Sequence, residues 1–253
     1  MDKIDCIILA AGKSTRMNMK LSKQFLEING KPIIYYSLYK FLTHKYISKV
    51  ILVLNPEQEE YCRERVIHRF FRDREKNIYI VYGGETRQDS VFNGLNHVIS
   101  DYVLIHDGAR PFVSYGCITK GIENAYRYGA SSCYVPSKDT IKIRENENIY
   151  TLDRDKLLCI QTPQCFDKNL LINAYLKVKD GNYTITDETS ALDIIGGFTY
   201  FYIGDYFNIK ITTKEDLWFG ESILNNILGE DWWEYLTPLQ EKKKNLNRLI
   251  III

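Results

Sequence analysis

The chain alternates two kinds of segment, and that alternation restricts its fold more than any other feature. Ile4–Ala10, Lys49–Asn55, Ile78–Tyr82, Tyr102–His106, Ser132–Val135 and Phe198–Ile203 read as strands. Several are almost unbroken apolar runs, the pattern of strands buried on both faces of a sheet. Helical patterns lie between them. Pro32 suits a first helical position, and Ile34, Leu38, Phe41 and Leu42 follow at helical spacing. After Gly83 and Gly84, Val91, Leu95, Val98 and Ile99 form a second apolar face, with Arg87, Asp89 and Ser90 in its first turn. This order predicts a largely parallel sheet covered by helices, a three-layer α/β fold. Ligands of such sheets bind at the carboxyl ends of the strands, so the loops after Ala10, Tyr82 and His106 are expected to share one crevice.

Two segments depart from the pattern. "KDTIKIRENENIYTLDR", Lys138–Arg154, alternates on both sides of a polar turn and lacks a helical period, which predicts a β-hairpin. It either folds back on its own sheet or projects and packs on a partner subunit. Near the end, Glu215–Leu228 reads as an amphipathic helix, and "EDWWEYLTPL", a basic run and "LIIII" follow. The final segment is too short for a membrane helix. A docking helix and the start of a second domain both remain open for it.

Composition excludes several classes. A net charge of +1 gives no global field for nucleic acid or an acidic membrane surface, so local Arg and Lys clusters must carry any anion binding. No apolar run reaches the roughly 18 residues of a membrane span. The amino-terminal residues lead into a strand rather than a cleavable signal, and the expected location is cytoplasmic. Six scattered cysteines lack a C-x-x-C pair and read as reduced, structural residues. Four isolated histidines offer no zinc spacing.

The loop after the first strand, "IILAAGKSTRM", contains Gly12-Lys13-Ser14, the letters that close a P-loop. A P-loop also needs a glycine five residues before its Gly-Lys pair, and here that position is Ile7, inside the strand. The P-loop reading fails, yet a glycine, a lysine, two hydroxyls and Arg16 still crowd a strand exit. Backbone N–H groups around Gly12 suit an anion nest. Arg16 and Lys23, on either side of the loop, suit charge developing on a phosphorus centre. No Ser-His-Asp or Cys-His arrangement offers a protein nucleophile.

"LAAG-x-x-x-R-M", then "K-Q-F" and "G-K-P-I", resembles the sugar-nucleotide pyrophosphorylase-like nucleotidyltransferases. "GGETRQDSV", "HDGARPF", "VPSKDTIK", "TLDR", "QTPQCF", "TDETSAL" and "NIKITTKEDL" follow in family order from about Ile4 to Leu217, and they narrow the resemblance to the 2-C-methyl-D-erythritol 4-phosphate cytidylyltransferase family. One departure is Gly108, where family members often carry Ala.

The resemblance implies a Rossmann-like, mostly parallel sheet of the nucleotidyltransferase type A kind with a protruding hairpin arm. Residues 1–229 would form the cytidylyltransferase domain, with the arm at about 138–154, and 230–253 an extension of unknown role. CTP and a polyol phosphate would give a CDP-polyol and pyrophosphate, with Mg²⁺ bound mainly through the CTP phosphates. Arg16 and Lys23 resemble the catalytic pair. Ala10, Ala11 and Gly12 would hold the nucleotide, and Gly83, Gly84 and Ser90 resemble the positions that read cytosine. Asp107, Arg110, Thr140, Arg154, Thr162 and Lys210 resemble substrate-positioning residues. Arg154 would reach a neighbouring subunit's site, which implies a homodimer through the arm. Asp187 and Glu188 are expected to be structural, at a helix amino terminus. Two rival readings stay open. One is a ribitol-5-phosphate cytidylyltransferase of teichoic acid or capsule synthesis; the other is a non-catalytic nucleotide-binding protein. "HDGARPF" and "ITDETSAL" favour the first-named family.

Overall fold

A computed structural model describes residues 1–12 and 22–227. Its first strand, β1 (Ile4–Ala10), is followed by a two-stranded ribbon, β2 (Glu27–Ile28) and β3 (Lys31–Pro32), and by α1 (Ile33–Thr43). Next come β4 (Ile47–Leu54), α2 (Glu59–Cys62), α3 (His68–Phe70), β5 (Ile78–Tyr82), α4 (Arg87–Leu95) and β6 (Tyr102–Asp107). The second half contains α5 (Tyr115–Tyr128), β7 (Ala130–Pro136), β8 (Lys142–Glu145), β9 (Asn148–Thr151) and β10 (Leu158–Asp167). It continues through α6 (Lys168–Asp180), α7 (Glu188–Ile194), β11 (Tyr200–Ile203) and α8 (Lys214–Ser222).

Seven strands form one sheet in the order β11-β7-β10-β6-β1-β4-β5. All pairings are parallel except those of β10, which runs antiparallel to β6 and β7. The strand β1 is central: Ile7 sits opposite Ile51 of β4 on one side and Ile105 of β6 on the other. Successive side chains of a strand point to opposite faces, so the near-continuous apolar run serves two cores. Cys6 and Ile8 enter one, with Ile34, Leu38 and Phe41 of α1 and Ile118 and Ile122 of α5. Ile7 enters the other, with Val91 and Leu95 of α4, Leu171 and Tyr175 of α6, and Leu192 of α7. The expected three-layer, mostly parallel α/β sheet is therefore present.

The helix ends follow local chemistry. Thr86 and Asp89 form a reciprocal capping box at α4 (Asp89 N to Thr86 Oγ1 3.1 Å, Thr86 N to Asp89 Oδ2 3.0 Å). Ser114 caps α5, which ends at Gly129 with φ +85°, a conformation that disfavours any side chain.

Three expectations need correction. The antiparallel β10 was not read as a strand: Pro163 and the polar Gln161, Thr162 and Gln164 interrupt its apolar pattern, and its register with β7 breaks between Ile160 and Gln164. Ile99 lies beyond the end of α4 and is 76% exposed rather than part of its apolar face. The letters "IKI" around Lys210 alternate as a strand would, yet the segment is irregular, tied to the loop after β6 by Ile211 N donating to Ala109 O at 2.8 Å. The hairpin is present as β8 and β9, a separate two-stranded sheet whose residues are all exposed. The extension 230–253 lies outside the described residues.

Candidate active site

The carboxyl ends of β1, β5 and β6 open into a crevice of about 370 Å³. Ala10, Ala11 and Gly12 line one wall, where β1 gives way to loop. Lys23 and Gln24 enter beside them from the first turn after that loop. The α4 amino terminus contributes Gly84, Thr86, Arg87 and Ser90, while Asp107 and Lys210 come from β6 and the segment after β11. Arg16 lies outside the described residues.

The glycines set the shape of the α4 wall. A Cβ on Gly83 would fall on the Cβ of Ala11 and come 2.9 Å from Ser90 Oγ. Glycine is what lets β5 and the β1 loop approach this closely. Ser90 Oγ accepts from Gly84 N (3.1 Å) and donates to Thr86 O (2.9 Å), so its hydroxyl fixes the turn that faces the crevice. Gly108 is similarly confined: an added Cβ would come 2.6 Å from Ile34 Cδ1 and 3.0 Å from Leu9 O, so Ala fits there only if Ile34 moves.

Asp107 is the electrostatic centre. Its Oδ2 lies 2.8 Å from Lys210 Nζ and 3.6 Å from Arg110 Nε, and its Oδ1 lies 3.7 Å from Arg87 Nη2. Burial pushes this carboxyl up, but Lys210, Arg87 and Arg110 together outweigh burial and hold it well below the usual carboxylate range. Arg110 also donates from Nη1 to Asn208 O at 2.8 Å, which ties the Lys210 segment to β6.

Thr162 is buried, and its hydroxyl accepts from Asp107 N at 3.0 Å and donates to His106 Nδ1 at 3.1 Å. The other imidazole nitrogen of His106 donates to Arg110 O at 3.0 Å. This chain of bonds fixes the end of β6, and burial pushes His106 down to about 4, keeping it neutral. Thr140 and Arg154 are exposed at the base of the hairpin and are not among the residues lining the crevice. Arg154 Nη1 there lies 3.4 Å from Lys138 O.

Among the crevice residues absent from the expected site, Gln24 and Arg87 make specific side-chain bonds that shape it. Gln24 is buried and donates from Nε2 to Ala10 O and, at 3.3 Å, to Gln58 Oε1, so it fixes the turn that carries Lys23. Arg87 was read only as a first-turn residue of α4. It grips Glu188 of α7 through both terminal nitrogens. The letters "KQF" and "GGETR" contain both residues, but nothing in them points to partners 34 and 101 positions away. Asp187 caps α7 through Ser190 N at 3.0 Å, the structural role expected of it.

A central strand whose carboxyl end opens into a crevice lined by Lys23 and by cations clustered on one buried carboxylate fits a nucleotidyltransferase of the Rossmann-like α/β class. The family model described as 2-C-methyl-D-erythritol 4-phosphate cytidylyltransferase matches residues 4–226. The chain belongs to that family. A 2-C-methyl-D-erythritol 4-phosphate cytidylyltransferase of Clostridium novyi is 48% identical over 230 residues, covering 90% of this chain and 99% of the relative. Among solved structures, the 4-diphosphocytidyl-2C-methyl-D-erythritol synthase of Anaerococcus prevotii superposes with a TM-score of 0.79 at 32% identity, covering 89% of this chain and 97% of that one. The 2-C-methyl-D-erythritol 4-phosphate cytidylyltransferase of Thermus thermophilus gives 0.73 at 27% identity, covering 87% and 98%.

Proposed function

We propose that this enzyme transfers a cytidylyl group from CTP to 2-C-methyl-D-erythritol 4-phosphate, a step of isoprenoid precursor synthesis. A phosphate oxygen of the acceptor attacks the α-phosphorus of CTP, the bond to the β-phosphate breaks, and pyrophosphate leaves. The nucleophile is the substrate itself. The protein's work is therefore positioning and charge stabilisation. The observation that carries this reading is the crevice itself: Lys23 at one side, the backbone of residues 10–12 behind, and Asp107 with Lys210 opposite.

Backbone groups of Ala10, Ala11 and Gly12 hold the triphosphate, and Arg16 and Lys23 stabilise charge on the pentacoordinate phosphorus. Gly83, Gly84 and Ser90 bound a slot sized for cytosine. Asp107 meets ribose or acceptor hydroxyls, and Lys210 and Arg110 draw in the acceptor phosphate. The role of Thr162 is indirect, through the end of β6. Arg154 and Thr140 serve the partner's site across a homodimer built on the hairpin arm.

The residues fit Mg²⁺ carried mainly on the CTP phosphates rather than in a protein cage. Among the described residues no cluster of three or more His, Cys, Asp or Glu could hold a metal, and Asp107 is the buried carboxylate that would face one. Bound there, the ion would neutralise phosphate charge. No described helix is long and apolar enough to cross a membrane. Residues 1–229 form the catalytic domain in this account, with 230–253 as an appendage. Family membership favours the erythritol acceptor over the ribitol and non-catalytic readings.

Nucleotide choice tests the assignment. With 2-C-methyl-D-erythritol 4-phosphate as acceptor, kcat/KM for CTP is expected to exceed that for ATP at least about a hundredfold. Comparable values would overturn the cytidylyl reading.

A further inference from the structure

Arg87 stands between two carboxylates, and it is bound unequally to them. Nη1 lies 2.5 Å from Glu188 Oε1 and Nη2 lies 3.0 Å from Glu188 Oε2, a two-pronged grip. The same Nη2 stays 3.7 Å from Asp107 Oδ1, beyond hydrogen-bond distance. Glu188 is itself fixed from three sides. It is fully buried, Tyr175 Oη donates to its Oε1 at 3.1 Å, and its backbone N–H donates to Gln164 Oε1 at 3.2 Å. Gln164 in turn donates from Nε2 to Asp187 Oδ2 at 2.8 Å, locking the start of α7 to β10. Asp107 Oδ2 is engaged by Lys210 at 2.8 Å, whereas Oδ1 makes no hydrogen bond to any described residue.

We propose that Glu188 is a positioning residue that withholds Arg87 from Asp107, so that Asp107 Oδ1 stays open to a hydroxyl of the bound substrate. The inference rests on the cytidylyltransferase reading of the crevice. Without the Glu188 carboxylate, the anion left within reach of Arg87 among the described residues is Asp107 Oδ1. A small rotation of the guanidinium would close the 3.7 Å gap into a direct ion pair and fill the acceptor position that the substrate needs. Arg87 is thus a side chain that the enzyme must restrain, and its partner on α7 does so from outside the crevice.

The test is a suppression experiment on full-length protein, with kcat/KM measured for CTP and 2-C-methyl-D-erythritol 4-phosphate and thermal unfolding followed alongside. Glu188→Gln keeps the side chain's shape and removes its charge; its kcat/KM is expected to fall at least about tenfold. The double variant Arg87→Met, Glu188→Met removes the restrained group together with its restraint. Replacing a buried pair by apolar side chains of similar volume is commonly tolerated by the fold. Its kcat/KM is expected to exceed that of Glu188→Gln by at least about threefold, because no guanidinium is left to close on Asp107. A double variant as impaired as Glu188→Gln, or one that does not fold, would overturn the proposal, as would full activity in Glu188→Gln. If Glu188→Gln fails to fold, Glu188→Asp, one methylene shorter and less able to hold both guanidinium nitrogens, takes its place as the reference. Wild-type protein that turns over neither substrate counts against the assigned reaction and not against the restraint.

Discussion

Lys210 Nζ lies 2.8 Å from Asp107 Oδ2, joining the irregular segment after the edge strand β11 to the end of β6 near the sheet's centre. The pair brings together a carboxylate and an ammonium that are distant in sequence, and both line the crevice. Lys210→Ala is expected to lower kcat/KM for the polyol phosphate at least about tenfold. Its melting temperature should fall as well, since the buried Asp107 carboxylate loses the nearest of the cations that offset its burial. Steady-state kinetics and a thermal melt on the same preparation check both halves.

Gly83 packs where a side chain has no room, against Ala11 and Ser90. Gly83→Ala should destabilise the protein by about 1–3 kcal/mol and raise the KM for CTP, because β5 and the β1 loop must separate. Around Gly12, by contrast, no atom of the described residues lies within 4 Å of the position a Cβ would take. Gly12→Ala should keep the wild-type unfolding midpoint, so any activity it loses reports on the ligand. Denaturant unfolding of the two variants separates these cases.

His44 and His106 give the fold an acid-sensitive limb. Burial pushes both down to about 4. Each ring has an acceptor nitrogen in use: His44 Nδ1 takes Tyr46 N at 3.3 Å and His106 Nδ1 takes the Thr162 hydroxyl at 3.1 Å. In the unfolded chain a histidine titrates near about 6.5. Between these values the unfolded state binds more protons, so stability rises with pH through this window and is lost as pH falls from about 6.5 towards about 4. Urea midpoints recorded across that range should fall on acidification, and less steeply in His44→Gln.

Much of this arrangement is legible in the letters, because both cores draw on simple periods. The run Ile4–Ala10 reads as a strand buried on two faces, and Cys6, Ile7 and Ile8 do alternate between the cores. The crevice follows from strand ends alone: the loops after Ala10, Tyr82 and His106, expected to share one crevice, all contribute to its lining. The strand β10 escaped this reasoning because Gln161, Thr162 and Gln164 spend their polar groups inside the protein, where sequence reading expects solvent. Glu188 was read correctly as structural, but its burial against Arg87 depends on two helices meeting, which no local pattern encodes. The hairpin is legible from its alternation, but the direction in which it carries Arg154 is not, since alternation along a hairpin does not specify direction.

The arm links chemistry to assembly. Ile143, Ile149 and Tyr150 are 41%, 54% and 50% exposed on a two-stranded ribbon, which is marginal unless something covers it. If a second copy covers it, Arg154 serves the partner's crevice. Lys23→Ala and Arg154→Ala should each be inactive alone. Mixed under conditions of demonstrated subunit exchange, they should recover about a quarter of wild-type activity, since half the dimers are hybrids and each hybrid has one intact site. A mixture that exchanges and stays inactive places Arg154 in its own subunit's site.

The acceptor is the central claim, and one competition measures it. Pyrophosphate release from CTP is followed with 2-C-methyl-D-erythritol 4-phosphate and with ribitol 5-phosphate, each varied at saturating CTP and Mg²⁺. A site that hydrogen-bonds particular hydroxyls penalises their misplacement, so kcat/KM for the erythritol phosphate should be higher by at least about a hundredfold. Equal or faster turnover of ribitol 5-phosphate would contradict the account.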